Sequence, residues 1–408
     1  MTTKADRWQA SSSFGWIDVD RDEAKRVREL LGLFKAPEAI DPHGILPLQI
    51  ALSDRLFPGM STQHTRARYV YFAAWHAQRL GSDNSRRSPL ESLRLDELDL
   101  MRSLLESEDR DGVFGKRSRE KTKTLPTAVY WSAIQRWGMI PGDLTVADVR
   151  PRMRQAVART ASWQFSDDAH TAASMTGVLP ADFPTAPIGF PAKNQSLAMT
   201  VEESDYFLER VMASCPDSFL AVVMKRPHLA AGAWPWTEDP TAGGQALIDA
   251  RCFSELIHPA RLLYAKLLVD DARRLGTSFD DLDAAIESDF DQWRAECDGR
   301  QSDLQEWVSA RLPQLLNDPK IRLSRVRRDF ISSALNTAAL NPDGCLDSAD
   351  LGQRVRRIEL AVKKRPNARL AGGEPFRRWM KQPSRIASRR LDYRWPNVRQ
   401  FLVDMDVA

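Results

Sequence analysis

Residues 61–80, STQHTRARYVYFAAWHAQRL, decide the fold class. Ser61 or Thr62 offers a helix cap, and Val70, Ala73, Ala74, Ala77 and Leu80 then recur at helical spacing up to Leu80. Phe72 and Trp75 widen the apolar arc until it covers most of the circumference. A helix apolar on most sides needs neighbours on most sides, so it belongs in the middle of a bundle. Two arginines lie on these faces: Arg66 with Val70, Ala73 and Ala77, and Arg68 with Phe72 and Trp75. At least one guanidinium is therefore drawn inside, where it requires a carboxylate. Asp54 just upstream, or Asp18 and Asp20, are the expected partners. A second reading stays open, in which the pair holds an anion or a nucleic-acid phosphate.

Working outward, the helical period recurs. Asp20 precedes a candidate helix at 20–34 with Ala24, Val27, Leu30, Leu31 and Phe34 on one face, and another spans 43–56 before the Pro58-Gly59 turn. Helices are expected at 94–107, 125–137 and 145–161, with an Arg- and Lys-rich loop at 108–124. Between 166 and 199 the pattern stops, because Pro180, Pro184, Pro187 and Pro191 break any helix. Phe183, Ile188 and Phe190 mark this stretch as one pinned to a surface. Helices resume at 200–214, 216–226, 244–274, 279–297, 301–316, 322–339, 347–365 and 374–380. Alternating β-branched runs are few and no fixed repeat is visible. The expectation is a mainly α, multi-helix bundle in two domains: residues 1–165, a Pro-rich linker at 166–199, and residues 200–408 with a basic end at 320–399. At roughly 150 residues per domain, a 408-residue chain has room for two or three.

Composition narrows the class. With 43% hydrophobic residues the chain can build a core, so disorder as the main state is excluded. No apolar run approaches the ~18 residues of a membrane helix, and the start MTTKADRWQASSSFGW lacks the layout of a signal peptide. A cytoplasmic protein is expected. Cys215, Cys252, Cys297 and Cys345 are too dispersed for a zinc or redox motif and read as reduced and buried.

The net charge of +3 hides an asymmetry. Residues 320–399 carry 20 Lys and Arg against 7 Asp and Glu, a balance of +13, while residues 1–319 stand at −8 and 400–408 at −2. In 347–365, Leu351, Val355, Ile358 and Val362 make a buried stripe flanked by Arg354, Arg357, Lys364 and Arg365 on one side and Arg356 with Lys363 on the other. Basic groups recur at Arg325, Arg327 and Arg328, at Arg377 and Arg378, and at Arg389, Arg390 and Arg394. Cations along an exposed arc suit nucleic-acid phosphates, whose condensed counterions they release. A solvated or internally paired basic surface is the competing reading. Trp379, Tyr393 and Trp395 interleave with the cations, available either to stack on unpaired bases or to fill the core.

Signatures of catalysis are sparse. Glu255 and His258 have the Glu-x-x-His spacing of di-iron bundles, which need two such pairs, and only one is present. Asp167-Asp168, Glu202-Glu203 with Asp205, and Asp280-Asp281 with Asp283 sit at expected helix starts, where carboxylates complement the dipole. Neither a Gly-rich phosphate loop, nor a serine elbow, nor a cysteine nucleophile signature is found. No cofactor and no metal are expected.

Five stretches carry a resemblance: SSSFGWIDVD (11–20), ALSDRLFPGMSTQHTRARYVYFAAW (51–75), LPTAVYWSAIQRWGM (125–139), CFSELIHPARLLYAKLL (252–268) and RRLDYRWPNVRQFLVDM (389–405). Together they resemble an uncharacterised bacterial domain family of unknown function over essentially the whole chain. The most specific landmarks are Leu56 to Tyr69 and Tyr130 to Gly138. Met60 stands where a small hydroxyl residue is expected and Pro259 where glycine is, which bears on how that helix starts. The resemblance implies no chemistry, only a setting: similar genes accompany helicase-like and phospholipase D-like nuclease genes in suspected antiphage defence clusters. The leading expectation is a non-catalytic subunit that binds nucleic acid, DNA before RNA, and bridges helicase-like or nuclease partner proteins, with no membrane contact. The alternatives are a pure protein adaptor and a divergent metal-dependent nuclease using the carboxylates above with His258.

Overall fold

A computed structural model of the chain describes residues 41–122, 124–155, 178–383 and 388–405. Among them the regular structure is helical and no β-strand occurs, so the mainly α expectation holds. The helix expected at 20–34 lies outside the described residues.

Helix α1 (Leu46–Leu56) begins beside Asp41, whose carboxylate accepts the amides of Ile45 and Leu46. Helix α2 (Tyr69–Ser82) is the buried centre anticipated, with every residue from Tyr69 to Ala77 inside. It does not start at Ser61 or Thr62. The amides of 61–66 are taken locally: Ser61 N–H by His64 Nδ1, Gln63 N–H by Ser61 Oγ, and Thr65 and Arg66 N–H by the Tyr130 hydroxyl. Side-chain acceptors of this kind compete with the helix ladder and hold the segment in turns. Helix α3 (Pro89–Glu106) starts five residues before the expected position, set by a Ser88/Glu91 capping box with Pro89 in the first turn. Helix α4 (Pro126–Arg136) packs along α2.

The stretch 178–199 forms turns pressed onto α2. Phe190 stacks on Phe72 and meets Trp75, Phe183 meets Tyr71, and the Trp75 indole N–H donates to Pro184 O at 2.8 Å. Phe183 and Phe190 are the pins, whereas Ile188 is 97% exposed.

Helices α5 (Val201–Ser214) and α6 (Phe219–Lys225) lead to α7 (Gly244–Arg274), the axis on which α1, α8 (Asp280–Cys297), α11 (Arg325–Leu340) and α12 (Ala349–Lys363) pack. Pro259 lies inside α7 and marks neither its start nor its end. Proline has no N–H, so the carbonyl one turn back loses its ladder partner; that carbonyl, Glu255 O, accepts the Trp293 indole N–H from α8 at 2.8 Å. Between α8 and α11, helices α9 (Gln301–Glu306) and α10 (Leu312–Leu316) are joined by a π-helical stretch, Trp307–Arg311. Helices α13 (Glu374–Lys381) and α14 (Trp395–Asp404) close the chain, and α14 was not anticipated from the period. Its Phe401 stacks near His64 and Tyr130, which returns the C-terminus to the N-terminal landmark. One contiguous apolar cluster runs from Ile45 to Met405 on both sides of 178–199. The four cysteines are buried and free, as expected. No helix among the described residues is long and apolar enough to cross a membrane.

Candidate nucleic-acid interface

The landmark arginines are committed internally. Arg68 donates from Nη2 and Nε to Glu203 Oε1 at 2.8 and 3.2 Å, and both side chains are buried. Arg66 Nε donates to Asp404 Oδ1 at 2.7 Å and Nη1 reaches Asp109, while Asp404 Oδ2 accepts the Ala67 amide at 2.7 Å. Burial raises the Asp404 carboxyl above its ordinary range, against the opposing pull of that amide and of Arg66. The partners are therefore Glu203 and Asp404 and not Asp54, which instead holds Arg394 at 2.8 Å; Asp18 and Asp20 lie outside the described residues. The two most specific landmarks also meet here. Gly59, at φ +87°, lies against the Trp137 indole so closely that a Cβ would come within 2.7 Å, and that indole donates to Pro58 O at 3.0 Å. His64 stacks on Tyr130 at 4.2 Å. These motifs lock α14 and α5 to the start of α2.

The thirteen cations proposed for phosphate contact separate into groups. Four are built into the fold. Lys363 is buried beside Glu359 at 3.5 Å, and burial lowers its pKa while Glu359 opposes the shift. Arg390 lies on Glu255 and Glu296 with its guanidinium carbon 4.9 Å from the Trp234 ring centre. Arg394 is buried on Asp54 and Met60 O. Arg356 grips Asp271 with two bonds of 2.7 and 2.8 Å. A second group pairs along its own helix at the surface: Arg325 with Asp329, Arg354 with Asp350, and Arg377 and Arg378 with Glu374. Arg327 is half-buried, its stem over Gly44. Arg328, Arg357, Lys364 and Arg389 are exposed, with no carboxylate within ion-pair distance among the described residues. Trp379, Tyr393 and Trp395 are buried and fill the core.

Helices α11 and α12 bring part of this set together. They pack against each other through a short connection, so the start of α11 lies beside the end of α12, and Arg327, Ile358 and Val362 converge on Gly44. Arg325 and Arg328 from one helix, and Lys364 with Arg365 from the end of the other, thus share one exposed end of the hairpin. The first turn of α11 contains no acidic residue, and Ser324 at its N-cap makes no side-chain cap bond. Arginines occupy a place where the helix dipole favours anions, so an approaching phosphate meets oriented amides and cations together. Beside this turn runs a groove of about 430 Å³ bordered by Arg322 and Arg328.

A family model described as a family of unknown function, DUF6361, matches residues 11–408. The chain belongs to the DUF6361 family. Nothing among curated proteins and nothing among solved structures matches it. In the DUF6361 chain Glu255 is a buried carboxylate gripped by Arg251, Arg300 and Arg390, and the four act as one ionic cluster. Glu202 and Glu203 open α5, and Asp280, Asp281 and Asp283 open α8, with Asp283 bonded to Lys266 and Arg273. Asp167 and Asp168 lie outside the described residues. Among those described, no group of three or more His, Cys, Asp and Glu side chains is placed to hold a metal ion. Arg365 was read as part of the basic flank of 347–365 but is not among the thirteen, and Arg322 was not singled out. Their signal was available in the sequence, since both flank cations already counted.

Proposed function

We propose that the chain is a non-catalytic nucleic-acid-binding subunit whose phosphate contacts lie at the joined ends of α11 and α12. The observation that carries this reading is the gathering of exposed Arg325, Arg328, Lys364 and Arg365 around a helix start free of acidic residues. Partner bridging, a role in antiphage defence and DNA in preference to RNA rest on the gene neighbourhood that the family resemblance implies, and the cytoplasmic setting rests on composition. The test is affinity for duplex and single-stranded DNA as a function of salt. Log K is expected to fall linearly with log salt, and R325E/R328E/K364E to lower the slope by about one per lost contact. No affinity at low salt, or an unchanged slope in the variant, overturns the reading. The adaptor alternative has one observation in its favour, the internal pairing of Lys363, Arg356, Arg390 and Arg394. It predicts a variant with unaltered DNA behaviour and lost protein partners.

A further inference from the structure

Residues 108–122 leave the C-terminal end of α3 and turn back along it, so that Glu120 reaches both Arg94 and Arg102 of that helix. The inner side of this stretch is fastened to the core. Val113 is buried, Phe114 N–H donates to the Tyr69 hydroxyl at 3.0 Å with its ring edge-on to Tyr69, and Gly112 O accepts the Thr65 hydroxyl at 2.7 Å. The outer turn is held from α3: Arg94 donates to the carbonyls of Glu120 and Thr122 at 2.9 and 3.2 Å, and Arg102 to the Glu120 carboxylate at 2.5 Å.

Three of the four acids in the stretch are engaged. Asp109 bonds Arg66, Asp111 bonds Lys116 and Glu120 bonds Arg102, which leaves Glu108. Arg117, Arg119 and Lys121 are exposed and have no carboxylate within ion-pair distance among the described residues. Three cations within five residues thus stand on a held turn without a counter-charge of their own. One exposed cation holds one anion weakly, because water competes and salt screens the pair. A polyanion that meets all three at once releases a counterion at each contact, and the contributions add. The phosphodiester backbone supplies a charge at every nucleotide whatever its sequence, whereas an acidic protein segment has to place its carboxylates in the matching order.

We infer that the outer turn of 108–122 is a second phosphate-contact surface, where Arg117, Arg119 and Lys121 hold a nucleic-acid backbone from the N-terminal half of the chain. The inference rests on the phosphate-binding reading above and adds a contact separate from the ends of α11 and α12.

The test is the salt dependence of affinity for a labelled duplex of about 30 base pairs, by fluorescence anisotropy with the full chain. The parent is compared with R117Q/R119Q/K121Q, with R325E/R328E/K364E and with the two sets combined. R117Q/R119Q/K121Q is expected to lower the slope of log K against log salt by about 0.9 per lost contact, roughly 2 to 3 in all, at an unchanged urea midpoint. The combined variant is expected to lose both contributions, and Arg117→Gln alone, outside the Arg119–Lys121 turn, about one unit of slope. A parental slope in R117Q/R119Q/K121Q, with a lowered one in R325E/R328E/K364E, overturns this second surface and leaves the α11 and α12 contact standing. The reverse pattern overturns the α11 and α12 contact and supports the turn. A parental DNA slope together with lost binding to polyglutamate assigns the turn to an acidic protein and also overturns the inference. Absence of any DNA binding at low salt overturns both surfaces.

Discussion

The arginines at the start of α2 and those at the start of α11 have the same side chain and opposite circumstances. Arg66 and Arg68 enter the interior, and a carboxylate from a distant part of the chain meets each of them, Asp404 and Glu203. Arg325 and Arg328 stand at the surface on a helix end whose dipole repels them, and among the described residues the one carboxylate within ion-pair distance of either is Asp329, 3.8 Å from Arg325. In the first case the charge is part of the fold, and removing its partner strands it. In the second the fold gains little from the charge. Arginine content alone therefore does not locate a binding surface; what separates the two regions is whether the chain has supplied the counter-charge itself.

The largest test of that difference is Glu203→Ala. It leaves the Arg68 guanidinium buried without its carboxylate and dissolves the Thr200/Glu203 capping box, and is expected to cost about 3–5 kcal/mol in urea denaturation. R325E/R328E, exposed and held by no buried partner, is expected to stay within about 0.5 kcal/mol of the parent. Comparable losses in the two variants would break the distinction.

The helical class and most element positions were legible because helix periodicity is local. Residues 244–274 were read to the residue even across Pro259, since the apolar spacing continues past it. Helix α14 escaped because its ten residues carry only Val398, Phe401 and Leu402 as a stripe, and Trp395 and Arg394 read equally well as an interface. The start of α2 was misplaced because Ser61 and His64 bind neighbouring amides in turns and do not cap the helix, a choice fixed by Tyr130 arriving from α4. The basic end of the chain was legible as composition. Its division into built-in and exposed cations was not, because deciding partners are far away in sequence: Asp271 lies 85 residues from Arg356, and Asp54 lies 340 from Arg394. No period links such pairs; the tertiary fold does.

Lys364 sharpens the comparison from the exposed side. It ends α12 at φ 62°, ψ 159°, a region open essentially to glycine, while its carbonyl accepts the amides of Asn367 and Ala368. The backbone demands this conformation whatever side chain is present, so lysine here costs stability that glycine would not. Lys364→Gly is expected to raise stability by about 1 kcal/mol and to weaken DNA binding; Lys364→Ala, which keeps the Cβ, weakens binding without the full gain. A destabilised K364G would show that the side chain contributes to the fold after all.

Glu97 tests the rule on a buried acid that lacks a guanidinium at ion-pair distance among the described residues. It is 3% exposed and accepts the Thr127 amide, at the start of α4, at 2.6 Å. Burial raises its carboxyl above the ordinary range, and the Thr127 bonds and the charges of His76 and Arg94 only partly offset this. The folded state therefore binds the proton to a higher pH than the unfolded chain does. The penalty for ionising the buried group is absent below the unfolded value, about 4.3, sets in as pH rises toward the raised folded value, and stays constant above it. Glu97→Gln keeps an oxygen for the Thr127 amide and removes the ionisation. Relative to the parent, its stability is expected to be flat below about pH 4 and to increase across that window, measured by urea denaturation from pH 3.5 to 8. A relative stability that instead falls with pH would mean that the ionised form of Glu97 is favoured in the fold.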